Sequence, residues 1–202
     1  MGRTIEYFFV PNSPWTWLGH QRVREIARAT GSTLDPVPFD LGQVFPLSGG
    51  LPLAKRAPQR QAYRLVELRR FREHLAMPLN LTPRYFPVNA DLATRTLVAV
   101  QAADGPERAL DLAGALLRAV WVDERDIADA GTLAALLAEQ GLAPQRLAQA
   151  DEPDTAARYA ANTQRAIERG VFGAPTYVID GELFWGQDRL DFVERRLRAA
   201  AG

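Results

Sequence analysis

In the stretch IEYFFVPNSPWTWLGHQRV, residues 5–23, a short run of aromatic and branched residues breaks at Pro11-Asn12 and gives way to apolar positions at helical spacing. Ile5–Val10 is predicted as a buried first strand, because β-branched and aromatic side chains suit a pleated surface and Pro11 ends the run. Residues 14–30 are predicted as the first helix. Trp17, Leu18, Val23 and Ile26 supply its apolar face, Arg22, Arg24 and Arg28 its polar one, and Gly31 a stop. Thr33–Phe39 follows as a second strand, which Pro36 and Pro38 confine to a sheet edge or shorten. A strand, a crossover helix and a strand call for a parallel pair.

Outward from this opening the texture changes at Leu41. GQVFPLSGGLPLAKRAP, residues 42–58, reads as a Gly/Pro-rich connection, and QRQAYRLVELRRFREHL, residues 59–75, as a charged helix. Residues 89–169 are rich in Ala and Leu at helical spacing, punctuated at Gly105-Pro106, Gly131 and Gly141 to Pro144. Strand character returns only near the end. Thr176–Ile179 and Leu183–Trp185 flank an Asp180-Gly181 turn, a hairpin signal, and a last helix starts at about Asp188. The order βαβ, helical insertion, ββα is an α/β thioredoxin layout carrying a large all-helical insertion. The expected division is 1–45 and 166–202 for the thioredoxin-like domain and 46–165 for the inserted helices.

With 202 residues and 47% hydrophobic content the chain is long enough to bury an ordinary core. It has no cysteine, which excludes a disulfide framework, a cysteine nucleophile and thiolate metal clusters, so any thiol chemistry must come from a ligand. Twenty-four basic residues balance 24 acidic ones, which leaves no footprint for nucleic-acid binding. The apolar run at the N-terminus is too short and too strand-like for a signal peptide or a membrane span, so a cytoplasmic protein with no membrane partner is expected. No metal-ligand cluster stands out, and no metal is expected.

Three motifs remain. Asn12-Ser13-Pro14-Trp15-Thr16 lies where the first strand turns into the first helix, and the free N–H groups of a helix start favour an anion such as a thiolate. Ser13 could donate to that sulfur, or serve only as the helix cap before Pro14. Gly173-Ala174-Pro175-Thr176 precedes the third strand. A cis Pro175 would leave the backbone of Ala174 open to an extended peptide ligand, whereas a trans one would merely start the strand. Finally, Gln187 could hold a carboxylate and Asp188 an ammonium, with helix capping by Asp188 as the alternative. The thioredoxin layout brings these three segments to one edge of the sheet. A γ-glutamyl tripeptide with a central thiol, glutathione, suits such a site.

NSPWTWLG (12–19), RYFPVNADLATR (84–95) and GVFGAPTYVIDGELFWGQDRL (170–190) together make the chain similar, over nearly its whole length, to a known group. It resembles the 2-hydroxychromene-2-carboxylate isomerases and the related kappa-class glutathione transferases, within the DsbA-like thioredoxin proteins. That resemblance implies Ser13 as catalytic serine, Asn89 near the reacting centre, and Ala174, Pro175, Gln187 and Asp188 around glutathione. Trp15 and Tyr85 join Asn89 as candidates for the acceptor pocket. Trp15 and Thr16 replace a common tyrosine and serine of the group, and Gly50 stands where an asparagine is usual.

By the same resemblance, the thiolate adds to a conjugated double bond of an aromatic breakdown product, the resulting single bond rotates, and elimination restores the other isomer. Glutathione is regenerated, as a cofactor. A transferase or peroxidase of the kappa type, which consumes the thiol, is one alternative, and a non-catalytic thioredoxin-like module that binds a peptide beside Pro175 is another. His20 and His74 lie in helical segments with polar neighbours, which suits packing or surface roles better than proton transfer. A homodimer is expected from the resemblance alone.

Overall fold

In the computed structural model, which describes residues 2–199, the first strand takes a central position in a four-stranded sheet. β1 (Thr4–Phe9) is buried from Ile5 onward and lies between β2 (Thr33–Pro38) and β3 (Thr176–Ile179), with β4 (Glu182–Trp185) outermost. β1 and β2 are parallel, as a crossover helix requires, while β3 runs antiparallel to both β1 and β4. Asp180 and Gly181, at φ 50° and 83°, make the tight turn of the β3–β4 hairpin.

β2 is the edge strand that its prolines call for. The N–H groups of Thr33 and Phe39 donate towards the β1 side, to Arg3 at 2.8 Å and Phe9 at 3.3 Å. Pro36 and Pro38, of the other parity, therefore turn their donorless nitrogens to the free edge. Their carbonyls are met there by the amides of Gln101 at 2.9 Å and Asn162 at 3.0 Å.

Alternation along β1 divides the core in two. Ile5, Tyr7 and Phe9 face the larger part, which holds Leu18, Val23 and Ile26 of α1 (Pro14–Ala29) and Val193 and Leu197 of the last helix. Phe8 and Val10 face the smaller part, with Val37, Val44, Ala166 and Val178.

Residues 41–48, expected to be part of a connection, instead form a helix, α2 (Leu41–Ser48). Asp40 caps it by accepting from the Gly42 N–H at 2.8 Å, and Gly49, at φ 73°, ends it. Pro46 inside costs one intrahelical bond, which the burial of Val44 offsets.

A 3₁₀ turn at Leu53–Lys55 leads to α3 (Pro58–His74), then α4 (Asp91–Asp104), α5 (Pro106–Trp121), α6 (Ala130–Glu139) and the short α7 (Gln145–Gln149). α8 (Pro153–Glu168) returns across the smaller face of the sheet. Its Arg165 and Arg169 reach the buried carboxylate of Glu6 on β1, at 2.7 and 3.0 Å, and Arg165 also holds Asp35 at 2.8 Å. The expected boundaries at 45/46 and 165/166 thus fall inside α2 and α8. The inserted helices are also not separate in packing terms: Leu110, Leu116 and Trp121 share one core with Tyr7 and Val23.

The C-terminal helix starts later than expected. Gln187–Arg189 is a single 3₁₀ turn, and α9 (Leu190–Arg198) begins after it, with no side-chain cap from Asp188.

Candidate active site

Ser13 closes the β1–α1 turn. Its N–H donates to Val10 at 3.2 Å, and its extended backbone, followed by Pro14, starts the helix. The Ser13 Oγ accepts from the Thr16 N–H at 3.2 Å, so the capping role is real. The same hydroxyl donates its proton across the fold to the Ala174 carbonyl at 3.4 Å, a long bond. Pro14 has no N–H, and those of Thr16 and Trp17 are taken by Ser13, which leaves the Trp15 N–H as the open donor of the first turn.

The Ala174–Pro175 peptide is cis. Beside it the Thr176 hydroxyl donates to Gly173 at 2.8 Å, and the Pro175 carbonyl accepts from the Gly186 N–H at 2.9 Å. That last bond ties the second motif to the third. Gln187 is buried, and its Nε2 has no hydrogen-bond partner among the described residues. It lies against α1 at Gly19, where a Cβ would come within 2.8 Å of the Gln187 Cβ and 2.9 Å of the Tyr177 hydroxyl. Asp188 is exposed and pairs with Arg189 at 3.2 Å.

These segments open on a cleft of about 540 Å³. Trp15, Ala174, Gln187 and Asp188 line it, and Ser13 is set back from its wall, reaching it through Ala174. Trp185 lines it too, packed on Phe172 with ring centroids 4.8 Å apart, and Trp15 meets Phe71 edge-on at 5.9 Å.

The facing wall is α3 and the turn before it. Arg56, Arg60 and Arg64 line the cleft with Tyr63, Glu67 and Phe71, none of them expected from the sequence. A signal for them exists: Arg60, Arg64, Glu67 and Phe71 recur at spacings of four, three and four, one face of a helix. The Arg64 guanidinium stands over the rings of Phe86 at 5.1 Å and Trp121 at 5.7 Å. Desolvation there, with a smaller push from Arg56, brings its pKa down to about 10. Arg56 is lowered likewise, first by desolvation and then by Arg60.

Tyr85 and Asn89 are not brought to the cleft wall. Asn89 is exposed and its Oδ1 accepts from the Asp91 N–H at 2.8 Å, a turn ahead of α4, while Tyr85 lies beneath the Arg84 guanidinium at 5.3 Å. Their loop is nevertheless fastened to the site, since the Asn12 amide donates to Val88 at 3.0 Å. Gly50 is absent from the cleft wall, and a Cβ there would run into the Phe45 ring.

Of the two histidines, His74 is exposed at the end of α3. His20 is buried, bonded through Nδ1 to the Tyr7 hydroxyl at 3.2 Å and through Nε2 to the Leu110 carbonyl at 3.0 Å. Burial, followed by Arg24, lowers its pKa to about 4 and keeps the ring neutral. It packs the core. Among the described residues no three His, Cys, Asp or Glu side chains gather to hold a metal, and no helix is long and apolar enough to cross a membrane.

A βαβ–ββα sheet with a helical excursion between its halves, and a cleft where the first helix meets the turn before β3, defines the thioredoxin class in its DsbA-like form. Comparison with known proteins agrees. The profile of the DSBA-like thioredoxin domain matches residues 4–198, and the chain belongs to that family. It is 30% identical over 201 residues to the 2-hydroxychromene-2-carboxylate isomerase of Pseudomonas sp. strain C18, covering 97% of this chain and 91% of that protein. It is 25% identical over 207 residues to human glutathione S-transferase kappa 1, covering 96% and 91%. A solved 2-hydroxychromene-2-carboxylate isomerase superposes with a TM-score of 0.83 at 24% identity, over 98% of this chain and 96% of the other. The relatives support an enzyme of the isomerase or kappa-transferase type.

Proposed function

We propose that the protein is a glutathione-dependent isomerase acting on 2-hydroxychromene-2-carboxylate or a similar conjugated product of aromatic degradation. The observation that carries this reading is the meeting of Trp15, Ala174, Gln187 and Asp188 on one cleft beside Ser13. Glutathione fits the groups present. The buried Gln187 Nε2 lacks a partner that a ligand carboxylate would supply, and exposed Asp188 offers an anion to an ammonium. When bound, glutathione supplies a thiol able to add to a conjugated double bond and leave again unconsumed.

The residues of the chain do the rest. Ser13 turns its hydroxyl from Ala174 to stabilise the anionic sulfur, and the Trp15 N–H at the positive end of α1 works in the same direction. The Ala174 backbone holds the cysteinyl unit, and Gln187 and Asp188 the γ-glutamyl head. Sheet-side elements, residues 1–45 and 166–202, would thus grip the cofactor, and the inserted helices, 46–165, would wall the acceptor pocket. Tyr85 and Asn89 would act only through the loop that Asn12 anchors. Exposed Leu47, Leu51, Tyr63 and Val66 favour a homodimer.

Calorimetric titration with reduced glutathione tests the reading, together with product analysis on 2-hydroxychromene-2-carboxylate. Saturable binding, weakened roughly tenfold or more in Asp188→Ala, with isomerisation and no net loss of thiol, is expected. Net thiol consumption would instead mark a kappa-type transferase, the reading that the human relative favours. No binding at millimolar glutathione would overturn the cofactor assignment.

A further inference from the structure

We infer that Arg64 selects the acceptor: from the α3 wall of the cleft its guanidinium receives an anionic group, a carboxylate above all, on a flat conjugated molecule. The inference rests on the proposed isomerase reading and adds which end of the acceptor is recognised and by which side chain.

Arg64 is a cation prepared for a partner that the described residues do not provide. It makes no ion pair or side-chain hydrogen bond among the described residues. The carboxylate on the same wall is engaged elsewhere, Glu67 with Arg70 at 2.6 Å, and Asp188, on the sheet side, stands beside Arg189 at 3.2 Å. Its planar head is backed by Phe86 and by Trp121, and the latter is wholly buried, so the platform is rigid. A partly desolvated guanidinium held in this way forfeits hydration and recovers it only from an anion, most fully from a carboxylate that matches its two-pronged geometry.

What surrounds Arg64 gives the rest of the acceptor its character. Trp15 and Trp185 contribute indole surface to the same cleft, suited to a flat ring system. Arg64 and its ring platform come from α3, the Phe86 loop and α5, whereas Ala174, Gln187 and Asp188 come from the sheet side. The α3 set is assigned to the acceptor's anionic end and the sheet-side set to the cofactor, with the sheet-side indoles of Trp15 and Trp185 shared by the one cleft.

Equilibrium binding of coumarin-3-carboxylate and of its neutral carboxamide tests the assignment without turnover. The wild-type protein, Arg64→Met and Arg64→Lys would each be measured with and without glutathione. Methionine keeps apolar packing on Phe86 and Trp121. The wild type is expected to prefer the carboxylate by roughly 10- to 100-fold, Arg64→Met to lose that preference, and Arg64→Lys to regain part of it, with glutathione affinity changed less than about threefold throughout. An undiminished preference in Arg64→Met, no preference in the wild type, or a loss of glutathione affinity in Arg64→Met would each overturn it. Absence of glutathione binding or isomerisation, with the Arg64-dependent preference intact, would sink the isomerase reading and leave the anion site standing.

Discussion

The Ser13 hydroxyl has one proton and two demands on its oxygen. It accepts from Thr16, which keeps α1 started, and it donates along a 3.4 Å path to Ala174, which a stronger acceptor can replace. Ser13→Ala removes both. The cap is worth about 1 kcal/mol in thermal unfolding, and loss of one donor to an anion lowers kcat/KM by about 10² to 10³. Ser13→Thr, which retains a hydroxyl, should keep most of the stability, and comparing the two in unfolding and in steady-state assays separates cap from chemistry. His20 makes a different prediction. Its folded pKa, about 4, lies below the ordinary 6.5, so the unfolded chain takes up the proton first as pH falls. The stability it contributes is complete above pH 6.5 and is lost progressively towards pH 4, up to about 3 kcal/mol. In urea unfolding at pH 7 and 4.5, His20→Gln should show a smaller drop than the wild type.

Between α1 and the turn at Gln187 there is room for a hydrogen and no more. Alanine normally improves a helix by about 1 kcal/mol over glycine. Gly19→Ala should instead lower the melting temperature, since its Cβ would press on Gln187 and Tyr177, for a net cost of about 1–3 kcal/mol. Glutathione affinity should fall with it, because the displaced residue is Gln187. Elements were legible to the extent that local chemistry announced them. β1, α1, the Asp180-Gly181 hairpin and the edge position of β2 all follow from alternation, capping and proline. α2 did not, because Pro46 and the glycines at 49 and 50 mask about two turns of helix that are held by tertiary burial of Val44. The same limit applied to the cleft. Its sheet-side residues sit on turn motifs that sequence can show, whereas the α3 face looks like any solvated charged helix until Phe86 and Trp121 are seen behind Arg64.

For the molecule as a whole, the continuous packing of Tyr7, Val23, Leu110 and Trp121 matters more than the topological division into a domain and an insertion. Denaturant unfolding followed by far-ultraviolet circular dichroism and by tryptophan emission should give superimposable single transitions. Two separated transitions would mean that the inserted helices form a unit of their own. Trp121 makes the second probe informative, being wholly buried among the inserted helices in the core they share with the sheet. The four tryptophans also divide by environment. Trp121 is sealed in the interior, Trp17 is partly buried outside the cleft with its Nε1–H donating to Pro78 at 2.9 Å, and Trp15 and Trp185 stand in the wall of the cleft. The protein therefore contains its own ratiometric optical sensor: an occupant of the cleft should quench the red-emitting indoles there and leave the blue-emitting interior one as an internal standard, reporting occupancy without a label.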